Sequence, residues 1–140
     1  MIKALDIRDK LKVLLPTVAE IAAMGITVVS VGKMDAVDTY PAASIYIESI
    51  DSDLGSRDCR TREPIFRVDI WAEDTVDAEK VLLEAGAAAE KAIEAARLTD
   101  FADTNLHFVG GQPLRNELAE NTQGGWSFAF QASYGVNITI

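Results

Sequence analysis

The chain has 140 residues, with 13 basic and 22 acidic side chains, a formal net charge of −9, and apolar and charged fractions of 49% and 25%. That length fits one domain with a core large enough to need no staples. The acidic balance argues against a nucleic-acid or anionic-membrane surface, since both need clustered Lys and Arg; otherwise it speaks mainly of solubility.

Cys59 is the one cysteine, so no intrachain disulfide can form, and a lone thiol fits a reducing compartment. The start meets Lys3, Asp6 and Arg8 before any apolar run, so no secretory signal is expected. The longest uncharged stretch, Ile21 to Gly32, contains Gly25 and is too short to span a bilayer. Asn137-Ile138-Thr139 has the spelling of a glycosylation sequon but falls in an expected strand, and is read as chance.

In chain order, Ala4, Ile7, Leu11, Leu14, Val18 and Ile21 recur at spacings of three and four, which predicts one apolar helical stripe. Pro16 interrupts it, giving either a kinked helix or a helix followed by a short second one. Thr17 to Glu20 has capping-box spacing, and Gly25 is expected as a left-handed cap. Ile26 to Val31 is β-branched and reads as a strand, followed by a polar loop, Lys33 to Thr39.

Tyr40-Pro41 introduces a second strand, Ala42 to Ile50. Asp51 to Asp58 carries the strongest loop signal of the chain. Arg60 to Ala72 reads as a third strand, with Phe66, Val68 and Ile70 on one side and Arg67 and Asp69 on the other, so the two strands form a hairpin with a long tip. Asp74 or Thr75 is placed to cap the main helix, whose acidic start (Asp77, Glu79) and basic end (Lys91, Arg97) suit its dipole. Its expected buried stripe is Val81, Leu82, Ala85, Ala88 or Ala89, Ala92, Ile93 and Ala96; the alanines fit close approach to a sheet, or plain helix propensity.

Leu106 to Val109 reads as a fourth strand ended by Gly110-Gly111-Gln112-Pro113, and a polar loop through Asn121 to Gly125 leads into the last strand. There Trp126, Phe128, Phe130, Ala132, Tyr134, Val136 and Ile138 alternate with Ser127, Ala129, Gln131, Ser133, Asn137 and Thr139, so one face is buried and the other small or polar. Strands joined by hairpins with only two helical segments indicate an α+β fold: a mostly antiparallel sheet of four to five strands with both helices on its apolar face.

Catalytic signatures are weak. His107 is the one histidine, no pattern marks a nucleophile or an orienting acid for it, and a surface position on a strand is the simpler reading. Cys59 has no second cysteine and no neighbouring histidine, so no zinc site is expected. Asp51-x-Asp53-x-Gly55 resembles the start of a calcium loop, but the glycine comes one place early and Glu63 one place late. With Arg57, Arg60 and Arg62 beside Asp51, Asp53 and Asp58, a solvated, self-neutralising loop is favoured. Gly110-Gly111 and Gly124-Gly125 lack the lysine of a phosphate loop and read as turn glycines. No metal or other cofactor is expected.

Three places resemble the tail terminator, or minor tail protein, family of long-tailed bacteriophages and prophages. They are the N-terminal helix leading to Tyr40-Pro41-Ala42-Ala43-Ser44-Ile45-Tyr46-Ile47; the acidic loop, then Phe66-Arg67-Val68-Asp69-Ile70-Trp71-Ala72 and an acidic-start helix; and Gly125-Trp126-Ser127 followed by Tyr134-x-Val136-x-Ile138. The likeness runs in the same order over most of the chain, and departs from the family in the strand-like Ile26 to Val31.

The resemblance implies a non-enzymatic virion structural protein. It would form a homo-oligomeric ring, a hexamer, that caps the tail tube, stops addition of tube protein and offers a surface to the head completion or connector protein. It would be assembled in the bacterial host cytoplasm and end in the virion tail, with no nucleic-acid specificity and no membrane. Candidate interface residues are Asp51, Asp53, Arg57, Asp58, Arg60 and Arg62. Alternatives are a head–tail joining protein of similar layout, or a small α+β ligand-binding or enzymatic domain. A deep apolar pocket with convergent polar groups would favour the last; a flat sheet face with charged loops would favour the first two.

Overall fold

The computed structural model describes residues 3–33, 41–54, 59–72, 77–96, 104–114 and 124–137. Helix α1 (Lys3–Leu14) buries Ala4, Ile7 and Leu11. Pro16 then tightens the chain into a 3₁₀ turn, Leu15–Thr17, before the five-residue α2 (Ala19–Ala23). The turn shifts the stripe by one residue: Leu15 is fully buried and Leu14 only packs against the core from its edge. The expected capping box does not form. Val18, in extended conformation, precedes α2 without a side-chain cap. Its amide bonds Leu15 O, and the Leu14 carbonyl left over accepts from the Thr17 hydroxyl at 2.5 Å. Gly25 closes the segment at φ +92°, as expected of a left-handed cap.

Of Ile26 to Val31, only Ser30–Val31 (β1) pairs in the sheet, parallel to β2 (Ala42–Leu54). Ile26 and Val29 are buried without ladder bonds, so their β-branched side chains serve packing rather than pairing. β2 runs antiparallel to β3 (Cys59–Trp71) from Ala42↔Trp71 to Leu54↔Arg60, with a register shift between Ile47 and Ser49. The expected loop at Asp51 is therefore strand through Leu54; its polar residues signalled exposure rather than irregular backbone. After α3 (Ala78–Ala96), β4 (Asn105–Leu114) pairs with β5 (Gly125–Asn137). Gly110-Gly111-Gln112-Pro113 does not end β4. A bulge after Phe108, with Gly110 at φ +154°, absorbs the irregularity and the strand continues.

The sheet order is β1-β2-β3-β5-β4, and every pairing except β1–β2 is antiparallel, so the fold is α+β with a five-stranded mixed sheet. A single hydrophobic cluster joins the α1 and α3 stripes to Ile45, Phe66, Val68, Ile70, Leu106, Phe128 and Phe130. The buried stripe of α3 is Ala78, Leu82, Ala85, Gly86, Ala89 and Ile93; Val81 is turned outward at 39% exposure. Close approach to the sheet is real and centres on Gly86, where a Cβ would lie 2.1 Å from Phe128 Cε1. The expected cap at Asp74 or Thr75, the dipole partner Arg97, and Ile138 to Ile140 lie outside the described residues.

Candidate functional site

On the sheet face that does not carry the hydrophobic cluster, strand alternation and register align polar residues across three strands. Ser44 on β2 faces Asp69 on β3, which faces Ser127 on β5. In the next row Tyr46 faces Arg67, which faces Ala129. The sequence places Ser127 and Ala129 on the small or polar side of the last strand and Arg67 and Asp69 on the second side of the third, as observed, but does not predict burial there: Ser44 is 0%, Asp69 1% and Ser127 1% exposed. Trp71 and Ala129 are buried beside them, outside the main cluster. Gly125 admits the Trp71 ring, since a Cβ there would stand 3.0 Å from Trp71 Cε3 and 2.6 Å from the Ile70 carbonyl.

The Ser127 and Tyr46 hydroxyls donate to the Asp69 carboxylate. Arg67 Nη1 reaches Ser127 Oγ at 3.3 Å, and its Nε holds Glu48 Oε2 at 3.0 Å. Asp69 Oδ1, Ser44 Oγ and Trp71 Nε1 are buried without a hydrogen-bond partner. Burial pushes the Asp69 carboxyl above the ordinary aspartate range; the two hydroxyls and the charges of Arg67 and Lys33 pull the other way. Burial, then the neighbouring Asp69 charge, pushes the Tyr46 phenol up to about 12. The arrangement is a buried carboxyl with two hydroxyls beside it and a guanidinium one row away, its ionisation disfavoured by burial.

The residues singled out from sequence lie elsewhere. Asp51 is exposed on β2, and its cross-strand neighbour on β3 is Glu63. Arg62 sits opposite Ser52 and donates to its hydroxyl. Arg60 Nη1 donates to the Cys59 carbonyl at 3.1 Å. Asp53 pairs opposite Thr61 through the backbone, while Arg57 and Asp58 lie outside the described residues. His107 is exposed on β4, as expected, and Cys59 is exposed at the start of β3. Among the described residues no three His, Cys, Asp or Glu side chains group as metal ligands, and no helix is long and apolar enough to cross a membrane.

Sequence reasoning placed Arg67 and Asp69 on the second face but missed the cluster. Its signal is a polar residue at the matching position of three strands, visible only once the pairing register is known. No protein-family model and no curated protein matches the chain.

Proposed function

We propose that this chain is a ring-forming structural subunit of a bacteriophage tail that caps the tube, ends its growth and receives the head completion protein. The observation that supports this reading best is the far end of the sheet. β2, β3 and β5 are each 13 residues long. β1 reaches only Ile45, and the β4 pairing stops at Ser133. Among the described residues, the ends Asp51–Leu54, Cys59–Arg62 and Tyr134–Asn137 therefore continue past both edge strands as a three-stranded ribbon.

A hydrogen-bonded ribbon holds charged side chains in fixed register, as a contact to a neighbouring subunit requires, where a solvated loop would not. Head-to-tail contact between two different surfaces of identical subunits closes a ring when the rotation permits.

The test replaces Arg57, Arg60 and Arg62 by Ser. The side-chain hydrogen bonds of Arg60 and Arg62 are solvent-exposed, and exposed polar pairs contribute only about 0–1 kcal/mol each to folding, so the variant should fold with nearly unchanged thermal stability. When it is expressed with the tube subunit of the same phage, capping should fail and overlong tubes accumulate, while the unaltered chain yields tubes of limited length. Normal capping by the triple variant removes the ribbon from the interface. Unlimited tube growth beside the unaltered chain, with the protein found at the head–tail joint, identifies a joining protein instead.

A further inference from the structure

The polar cluster on the second face carries an inference independent of tail assembly. Asp69 is 1% exposed, its Oδ1 has no hydrogen-bond partner, and among the described residues its carboxylate is bonded by the Ser127 and Tyr46 hydroxyls, with Arg67 and Lys33 acting on it only through their charge. A carboxylate removed from water in this way is strongly disfavoured unless a positive charge moves to it. Arg67 lies two residues away on the same strand and the same face. Its guanidinium is committed to Glu48 at 3.0 Å, yet already touches Ser127, the hydroxyl that also bonds Asp69. Glu48 has 43% side-chain exposure, so water can replace the guanidinium there at small cost.

We propose that Asp69, Arg67 and Glu48 form a proton-operated latch: protonated Asp69 leaves Arg67 on Glu48, and ionised Asp69 draws Arg67 to itself and releases Glu48 to solvent. The step is one proton lost from the Asp69 carboxyl to water, with the guanidinium charged throughout. Among the described residues, the groups facing Asp69 are Tyr46 from β2, Arg67 from β3, Lys33 from the segment after β1, and the hydroxyl of Ser127 from β5; Glu48 acts on the Tyr46 end of the row. Lys33 shares the neutralisation of ionised Asp69, and Tyr46 stays protonated, so it remains a donor in both positions of the latch.

The experiment follows the Arg67 side-chain Nε resonance and the Asp69 carboxyl resonance of the full chain by NMR as pH is raised from acid to neutral. Arg67 should shift in one step at the Asp69 midpoint, above the ordinary aspartate range. Asp69→Asn should abolish that step and leave Arg67 at its low-pH position. Glu48→Gln, which removes the acid-side partner and leaves the Asp69 cluster in place, should change the low-pH Arg67 position, leave the high-pH position as in the unaltered chain, and lower the Asp69 midpoint, because Arg67 no longer has a carboxylate to leave. An Arg67 resonance that does not move at the Asp69 midpoint, a full step in Asp69→Asn, or a Glu48→Gln variant whose high-pH Arg67 position differs from that of the unaltered chain overturns the latch; should Asp69→Asn not fold, the Glu48→Gln arm alone decides.

Discussion

Asp69 is the residue whose environment departs most from its chemistry. Because burial raises its pKa in the folded chain, the folded state holds the proton more tightly than the unfolded state does. The sign follows: its contribution to stability is fully present below the ordinary aspartate value and is lost as pH rises through the raised value. Asp69→Asn keeps an acceptor for Ser127 and Tyr46 and removes the buried charge. In urea unfolding the variant should exceed the native chain in stability at neutral pH, and the gap should close as pH falls through the Asp69 titration. An equal loss at every pH would instead mark a packing defect. Gly86 makes the opposite case, a residue defined by what it lacks. A Cβ there would meet Phe128 Cε1 and Cζ at 2.1 and 2.2 Å, and Phe128 is only 4% exposed and stacked on Trp126. Gly86→Ala should cost about 1–3 kcal/mol through overpacking, despite the better helix propensity of alanine. Gly135, whose Cβ would meet nothing within 4 Å, is the control; its alanine variant should stay within about 0.5 kcal/mol. Thermal or denaturant midpoints of the pair check both.

At the scale of elements, the helices and strands follow from periodicity, and the departures occur where hydrogen bonding decides between patterns of similar hydrophobicity. The stripe from Ala4 to Ile21 is legible, but the place where Pro16 resets it is not: Leu14 and Leu15 are equally apolar, and only the 3₁₀ turn selects Leu15 for the core. Leu15→Ala should cost about 2–5 kcal/mol and Leu14→Ala well below that range, measured by equilibrium unfolding; equal costs would place the reset elsewhere. Ile26 to Val31 shows the same limit. Its β-branched residues are drawn inward as expected, yet only the last two find a strand to pair with. The hairpin tip and Gly110 to Pro113 err in the other direction, since polar and glycine residues read as loop while ladder bonds keep Asp51–Leu54 and Gly110–Leu114 extended. The polar row of Ser44, Asp69 and Ser127 was illegible for a related reason. Each residue alternates correctly within its own strand, but their meeting depends on two inter-strand registers that no single segment encodes.

For the whole molecule, the α+β layout with both main helices on one apolar face was legible because strand runs and helical stripes separate cleanly along the chain. The sheet divides into two regions of different use. Near Trp71 its second face is buried and holds the proton-linked cluster. Toward Leu54 and Asn137 the sheet continues into the ribbon, with Arg60 and Arg62 on the side of Phe66 and Glu63 on the side of Asp69, and this ribbon is proposed to contact the next subunit. A ring subunit needs two dissimilar surfaces, and the ribbon supplies a defined candidate for one of them. The most direct measurement is the mass and symmetry of the purified full chain across a wide concentration range, by sedimentation and by electron-microscopic class averages. The account predicts concentration-dependent assembly into closed rings of cyclic, six-fold symmetry. A stable dimer with two-fold symmetry at every concentration would contradict it.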